Sequence, residues 1–245
     1  MWAARPRDSP GRKPYAPARL TSLVATAHPP RAFALAPRAL VRLCSRAQRE
    51  LWGVRLVRVY GIGIGLSYAV TLLLLSATPG VALKLWARAL ATASWVVGVG
   101  ALSLARDLAS RDTQQGLVSL ARLRGYDEQG LERARAVAGA LRLSGAVAAP
   151  GLIVALAALL HFRTLGATAL ALGLALLTLP YAALLGTTLA LLARLSSRLL
   201  PGRGRTVLLA LVLGPWLLAS GTGRSLPSIP AAFGWLLERL AGSLS

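Results

Sequence analysis

Cysteine, histidine and acidic side chains are scarce in this sequence of 245 residues. A lone cysteine, Cys44, excludes an intrachain disulfide bond. The two histidines, His28 and His161, have no cysteine or carboxylate at ligand spacing, so we expect no metal site. Eight acidic residues against 28 Lys and Arg give a formal charge of +20. Because the basic residues flank apolar runs, we expect no nucleic-acid partner.

Acidic, Lys and His side chains are also missing from the interior of the long apolar runs. Charges at membrane depth usually mark ion or proton paths, so their absence argues against an ion-driven pump. No Ser-His-Asp, HExxH or paired-carboxylate arrangement is available there, and we therefore expect no catalytic residue. The GIGIG stretch at 61–65 lacks the Lys-Ser/Thr of a nucleotide-binding loop, so we expect no cofactor.

The apolar residues that are present, 55% of the chain, come mostly in blocks of about 18 to 28, the length that crosses a hydrocarbon core of ~30 Å. We predict an all-α integral membrane protein with about five to six transmembrane helices. The expected spans are 59–78, 85–104, 143–160, 165–192 and 206–220. The fourth span is long enough to need tilt or a kink at Pro180. Residues 221–245 are interpreted as an interfacial or re-entrant segment.

The N-terminal part of the chain is basic. Residues 1–38 are rich in Pro and Arg and predict a disordered tail. Residues 39–58 repeat apolar side chains at spacings of three and four, which predicts an amphipathic helix lying on anionic lipid. Of the Lys and Arg residues, 23 fall on one side of the predicted spans and five on the other. This excess places the N-terminus and the loop 105–142 in the cytosol.

Small residues four apart occur in the first two predicted spans. Gly61 and Gly65 form one pair, and Ser94 and Gly98 form another. Such spacing lets helix backbones approach closely, so both pairs are expected to pack against another helix or a second copy of the chain.

The loop 105–142 holds five of the eight acidic residues. Leu117, Leu120 and Leu123 recur every three residues, and Gly125 and Gly130 bracket a turn in which Asp127 is available as a helix N-cap. After this turn, one helix face would carry Leu131, Ala134, Ala138 and Leu141, and Glu132 would pair with Arg135. The loop therefore predicts two short amphipathic helices, hinged at glycines, that lead into the third span. Their apolar faces need lipid or a protein partner to cover them.

This loop resembles the segment between spans two and three of ABC-2 type transporter permeases. The family pattern is an acid, then Gly-Thr-Leu, an apolar position, a Pro-containing turn and a basic residue. Asp112, Gly116, Leu117, Leu120 and Arg135 match those positions, whereas LRGYDEQG replaces the usual turn and a clear sixth span is missing.

The resemblance implies a permease subunit of an ABC exporter, working as a homodimer or paired permease. The high ratio of Arg to Lys and the many Ala and Leu residues indicate a GC-rich bacterial genome, so we expect the bacterial cytoplasmic membrane. ATP and Mg²⁺ would be bound by a separate ATPase subunit. That subunit would contact the loop at the matching positions and at Gly125, Tyr126, Asp127 and Glu132. A non-transporting membrane scaffold or assembly factor is the alternative, favoured by the missing sixth span and the N-terminal tail.

Overall fold

The computed structural model of the chain describes residues 37–49, 51–75, 78–105, 116–126, 128–162, 165–200, 203–222 and 229–243. All regular secondary structure in these ranges is α-helical, which agrees with the predicted class. The helices are α1 (Pro37–Arg49), α2 (Trp52–Leu74), α3 (Pro79–Ala101), α4 (Leu117–Leu123), α5 (Glu128–Phe162), α6 (Leu165–Leu199), α7 (Gly204–Thr222) and α8 (Ile229–Ser243).

Three helices in the described part of the chain are long and apolar enough to cross a membrane, as expected of a membrane protein: Gly53–Leu74, Gln129–Phe162 and Thr168–Leu199. This number is lower than the predicted five to six. The second expected span lies on α3, which has 23 residues but carries Lys84 and Arg88 in its first half, lowering its mean hydropathy. The fifth lies on α7, of which the stretch Gly204–Pro215 is apolar.

Helix α5 is the centre of the fold and packs against α1, α2, α3, α4 and α6. Its 35 residues extend over about 52 Å, well beyond a hydrocarbon core of ~30 Å. The second short helix predicted for the loop and the third predicted span are therefore one continuous helix. Its polar N-terminal part projects past the apolar part.

The small-residue pairs lie at contacts within the chain. A Cβ on Gly61 would sit 2.8 Å from the carbonyl oxygen of Ala146, and one on Gly65 would sit 2.7 Å from the Cα of Pro150. The α2 and α5 backbones thus approach directly because no side chain separates them. A Cβ on Gly98 would meet Pro230 and Val212 at 3.2 Å, at the contact of α3 with α7 and α8.

Two buried polar contacts join α3 to α6. Trp86 Nε1 donates a hydrogen bond to Thr178 Oγ1 at 2.9 Å, and Ser94 Oγ lies 2.7 Å from the hydroxyl oxygen of Tyr181. Phe233 of α8 packs edge-on against the Tyr181 ring with centroids 5.8 Å apart. Polar atoms away from water cost free energy unless they are paired, so these contacts fix the register of the two helices.

The residues predicted to form one interfacial helix, 39–58, lie on two helices. α1 ends at Arg49, and Leu51 is extended before α2 begins at Trp52. The apolar side of α1 is covered by protein, since Leu40 and Cys44 are buried together with Ala121, Leu131, Ala134 and Ala138. We call this cluster the small core. It is separate from the larger core between the apolar helices.

Candidate functional site

Helix α4 is bounded by glycines in a conformation that other residues rarely adopt. Gly116 has φ +69° and Gly125 has φ +78°, both in the left-handed region. The turn after α4 closes with a hydrogen bond of 3.0 Å from the Tyr126 amide to the Ala121 carbonyl. The chain therefore changes direction at the two glycines singled out in the sequence. Gly130 lies inside α5, so it makes no second hinge.

Helix α4 exposes two leucines. Ala121 is buried in the small core, with Val118 and Tyr126 packed against it. Leu120 is 41% exposed and Leu123 is 86% exposed. The exposed side chains of Arg122 and Arg124 lie beside these leucines in sequence. Two adjacent apolar side chains edged by positive charge form a surface to which a partner can dock.

The predicted apolar face of α5 is mostly covered. Leu131, Ala134 and Ala138 are buried in the small core because α1 packs on them, and only Leu141 of that face is exposed. This part of α5 supports α4 and is closed to a partner.

Glu132 has different partners from the one predicted. Its Oε2 accepts a hydrogen bond of 3.1 Å from Arg194 Nη2 and a second from Arg198 Nη2, both on α6. Because only two residues separate α5 from α6, the two helices run antiparallel and the basic end of α6 lies beside the start of α5. The main chain of Arg135 accepts a hydrogen bond of 3.0 Å from Gln48 Nε2, which ties α1 to α5.

The charges around Glu132 change its acidity. Glu132 lies in the polar part of α5, before the apolar segment 143–160 that we assign to the membrane. Burial raises the pKa of its carboxyl, but the hydrogen bonds and positive charges of Arg194 and Arg198 outweigh burial. The net effect is a pKa below the ordinary value of 4.5. The carboxylate is therefore ionised and paired at neutral pH.

Some predicted site residues are not described. Asp112 and Asp127 lie outside the described ranges, as does the side chain of Leu117. Conversely, the sequence did not predict the hydrogen bonds that Gln48 makes to Arg135 and that Arg194 and Arg198 make to Glu132. The two residues of each pair lie 62 to 87 positions apart in the chain. The one available signal was that Arg194 and Arg198, four apart, share a helix face.

Within the described ranges, no three His, Cys, Asp or Glu side chains are grouped closely enough to hold a metal ion. No family model, no curated protein and no solved structure matches the chain.

Proposed function

We propose that the chain is the membrane-spanning permease subunit of an ATP-driven exporter of the ABC-2 type. It would contact a separate ATPase subunit through the loop 105–142, with its N-terminus in the cytosol of a bacterial cell. The observation that carries this proposal is the position of α4. This short helix is held on the projecting end of a membrane-length helix and exposes Leu120 and Leu123.

The packing of α4 would let a movement of this helix pass through the small core to α5. Ala121 contacts the small core, to which α5 contributes Leu131, Ala134 and Ala138. A push on α4 by a closing ATPase dimer would tilt α5, and α5 continues without interruption into the apolar segment. Helix α3 ends at Ala101 and is followed by a turn, so it does not continue as a helix out of the apolar segment. The transmitting helix in this proposal is therefore α5.

The chemistry of the α4 surface defines the partner. Leu120 and Leu123 fit an apolar groove, and the neighbouring Arg122 and Arg124 favour an acidic rim around it. ATP and Mg²⁺ would be held by the partner, since the sequence has no nucleotide-binding loop. Two permease chains would pair with two ATPase subunits.

The test is co-purification of the full chain from its native membrane in mild detergent, with mass spectrometry to identify bound proteins. Leu120→Ser/Leu123→Ser is compared with Ser119→Gln, an exposed change on the same helix. We expect an ATPase subunit to co-purify with the wild type and with the Ser119 variant. The amount recovered with the leucine variant should be at least ten-fold lower. Equal recovery would exclude α4 as the contact. Recovery only of a partner without nucleotide-binding motifs would support a scaffold instead.

A further inference from the structure

An open cavity of about 330 Å³ lies between α1, α2 and α5. This volume is at the lower end of the range of ligand pockets, about 300–1,000 Å³. Each helix contributes one arginine to the lining: Arg49 from α1, Arg58 from α2 and Arg142 from α5. The cavity is separate from the α4 surface, and its use does not depend on the proposed function.

The side chain of Arg142 is held in place by α1. Its Nε donates a hydrogen bond of 2.9 Å to the carbonyl oxygen of Ser45, and its Nη2 donates one of 2.9 Å to Ser45 Oγ. Its Nη1 makes no hydrogen bond to the described residues. A guanidinium fixed through Nε and Nη2, with Nη1 open, can donate a charge-assisted hydrogen bond to an anion from that nitrogen.

The three arginines form a concentration of positive charge. Arg49 and Arg58 lie close enough to Arg142 to repel it electrostatically. Among the described residues, the carboxylate that forms ion pairs is Glu132, and its partners are Arg194 and Arg198. Glu132 is not part of the cavity lining, and an anion bound among the three arginines would relieve their repulsion.

Apart from Ser45, the remainder of the lining is apolar. It includes Val54 and Ile62 of α2 and Ala146 and Ala149 of α5. Ile62 lies one helical turn beyond Arg58, and Ala149 lies about 10 Å along α5 from Arg142. Both helices are among those long and apolar enough to cross a membrane. The cavity is thus basic at one end and apolar at the other, which matches a ligand with an anionic head and a hydrocarbon tail.

We propose that this cavity binds the phosphate headgroup of an anionic phospholipid, with an acyl chain lying along the apolar surfaces of α2 and α5. Basic pockets between membrane helices are suited to such headgroups. This site would position α1 at the headgroup level through its charged residues, while its apolar side remains packed on α5.

The first test measures the affinity of phosphatidylglycerol for the full chain in neutral detergent, by native mass spectrometry. The variant is Arg49→Gln/Arg58→Gln, which leaves Arg142 and its bonds to Ser45 intact. The matched control is Arg38→Gln/Arg42→Gln, which removes the same charge from exposed positions of α1 outside the cavity. We expect binding about ten- to thirty-fold weaker in the variant and unchanged in the control. Equal affinity in both would overturn the proposal.

The second test fills the cavity. Gly145 lines it, and a Cβ placed there meets no atom within 4 Å, so Gly145→Leu adds a larger apolar side chain to the lining at a position with open space. The control is Gly173→Leu on α6, where a Cβ is equally free. We expect the Gly145→Leu variant to lose phosphatidylglycerol binding and the Gly173→Leu variant to keep it. Retained binding would overturn the proposal.

Two competitors identify the source of the phosphate. Phosphatidylcholine, which has no net charge, is expected to bind weakly, and inorganic phosphate is expected not to displace phosphatidylglycerol. Displacement by inorganic phosphate would make a soluble anion the ligand. Equal binding of phosphatidylcholine would show that the arginines do not select charge. Either result would overturn the assignment to an anionic lipid.

Discussion

The carboxylate of Glu132 on α5 accepts a hydrogen bond of 3.1 Å from the guanidinium of Arg194 on α6. The contact lies at the opposite end of these helices from their short connection at residues 163–164. The two longest helices are thus held together covalently at one end and by charge at the other. Arg198 adds a second donor to the same oxygen.

Replacing Glu132 by Gln should weaken the contact between the start of α5 and the end of α6. The change removes the charge that two arginines share, and we expect a loss of about 1 kcal/mol, since the group is partly exposed. Thermal unfolding in detergent measures it. Arg203→Gln, an exposed change beyond the end of α6, is the control and should leave the melting temperature unaltered.

The same pair predicts a pH dependence. Because the folded-state pKa of Glu132 is lowered, its stabilisation is complete above the ordinary value of 4.5 and is lost as pH falls through the folded-state pKa. The difference in melting temperature between wild type and Glu132→Gln should therefore be constant near neutrality and shrink at acidic pH. A difference that persists at pH values far below 4.5 would contradict the pairing.

The close approach of α2 and α5 predicts that the same substitution has unequal effects at two neighbouring glycines. Gly65→Ala places a Cβ 2.7 Å from the Pro150 Cα, and backbone cannot give way as a side chain can. We expect a loss of about 1–3 kcal/mol in unfolding free energy. Gly63→Ala is the control, because its Cβ meets nothing within 4 Å, and its effect should stay within about 0.5 kcal/mol. Equal effects would show that the two backbones do not touch at Gly65.

The polar contacts between α3 and α6 predict an unequal pair of substitutions. Thr178→Val keeps the shape of the side chain but leaves the buried Trp86 N–H without its acceptor, at a cost of about 1–3 kcal/mol. Tyr181→Phe should cost less, about 0.5–1.5 kcal/mol, because the Ser94 hydroxyl still donates to the Leu90 carbonyl at 2.7 Å. Denaturant or thermal unfolding ranks the two, and the reverse order would count against this hydrogen-bond pattern.

The turns that bound α4 predict a local effect. Gly116→Ala or Gly125→Ala forces a left-handed residue at a cost of about 1–2 kcal/mol, although each Cβ has free space. Amide hydrogen exchange in α4 should accelerate about five- to thirty-fold, with the apolar helices unaffected. Gly166→Ala, unhindered and helical in α6, should change neither region.

Apolar runs in the sequence were enough to predict an all-helical fold, because helices long enough for a bilayer need continuous apolar residues. The residues at which individual helices begin and end were predicted less accurately. The stripe through Leu51 and Val54 continues the period of α1, so the break before Trp52 has no signal in the pattern. In the described part of the chain fewer helices qualify as spans than predicted, and for α3 the reason is that Lys84 and Arg88 lie on a helix of suitable length.

The candidate site was predicted in part. Gly116 and Gly125 bound α4 because a tight change of direction requires a residue without a Cβ. The pairing of Glu132 depended instead on the antiparallel packing of α5 and α6. Local spacing favoured Arg135, and only the tertiary fold brings Arg194 and Arg198 close. Likewise, the burial of Leu131 follows from the position of α1, which no local pattern specifies.

The contact of Gly65 with Pro150 divides α5 unequally. From Glu128 to Pro150 the helix rises about 33 Å, and from Pro150 to Phe162 about 18 Å. If α5 swings about this contact as a stiff lever, a displacement at its polar end is reduced about two-fold at the far end and reversed in direction. A large displacement of the polar end of α5, outside the bilayer, would then produce a smaller displacement of its other end, in the opposite direction and with a larger force.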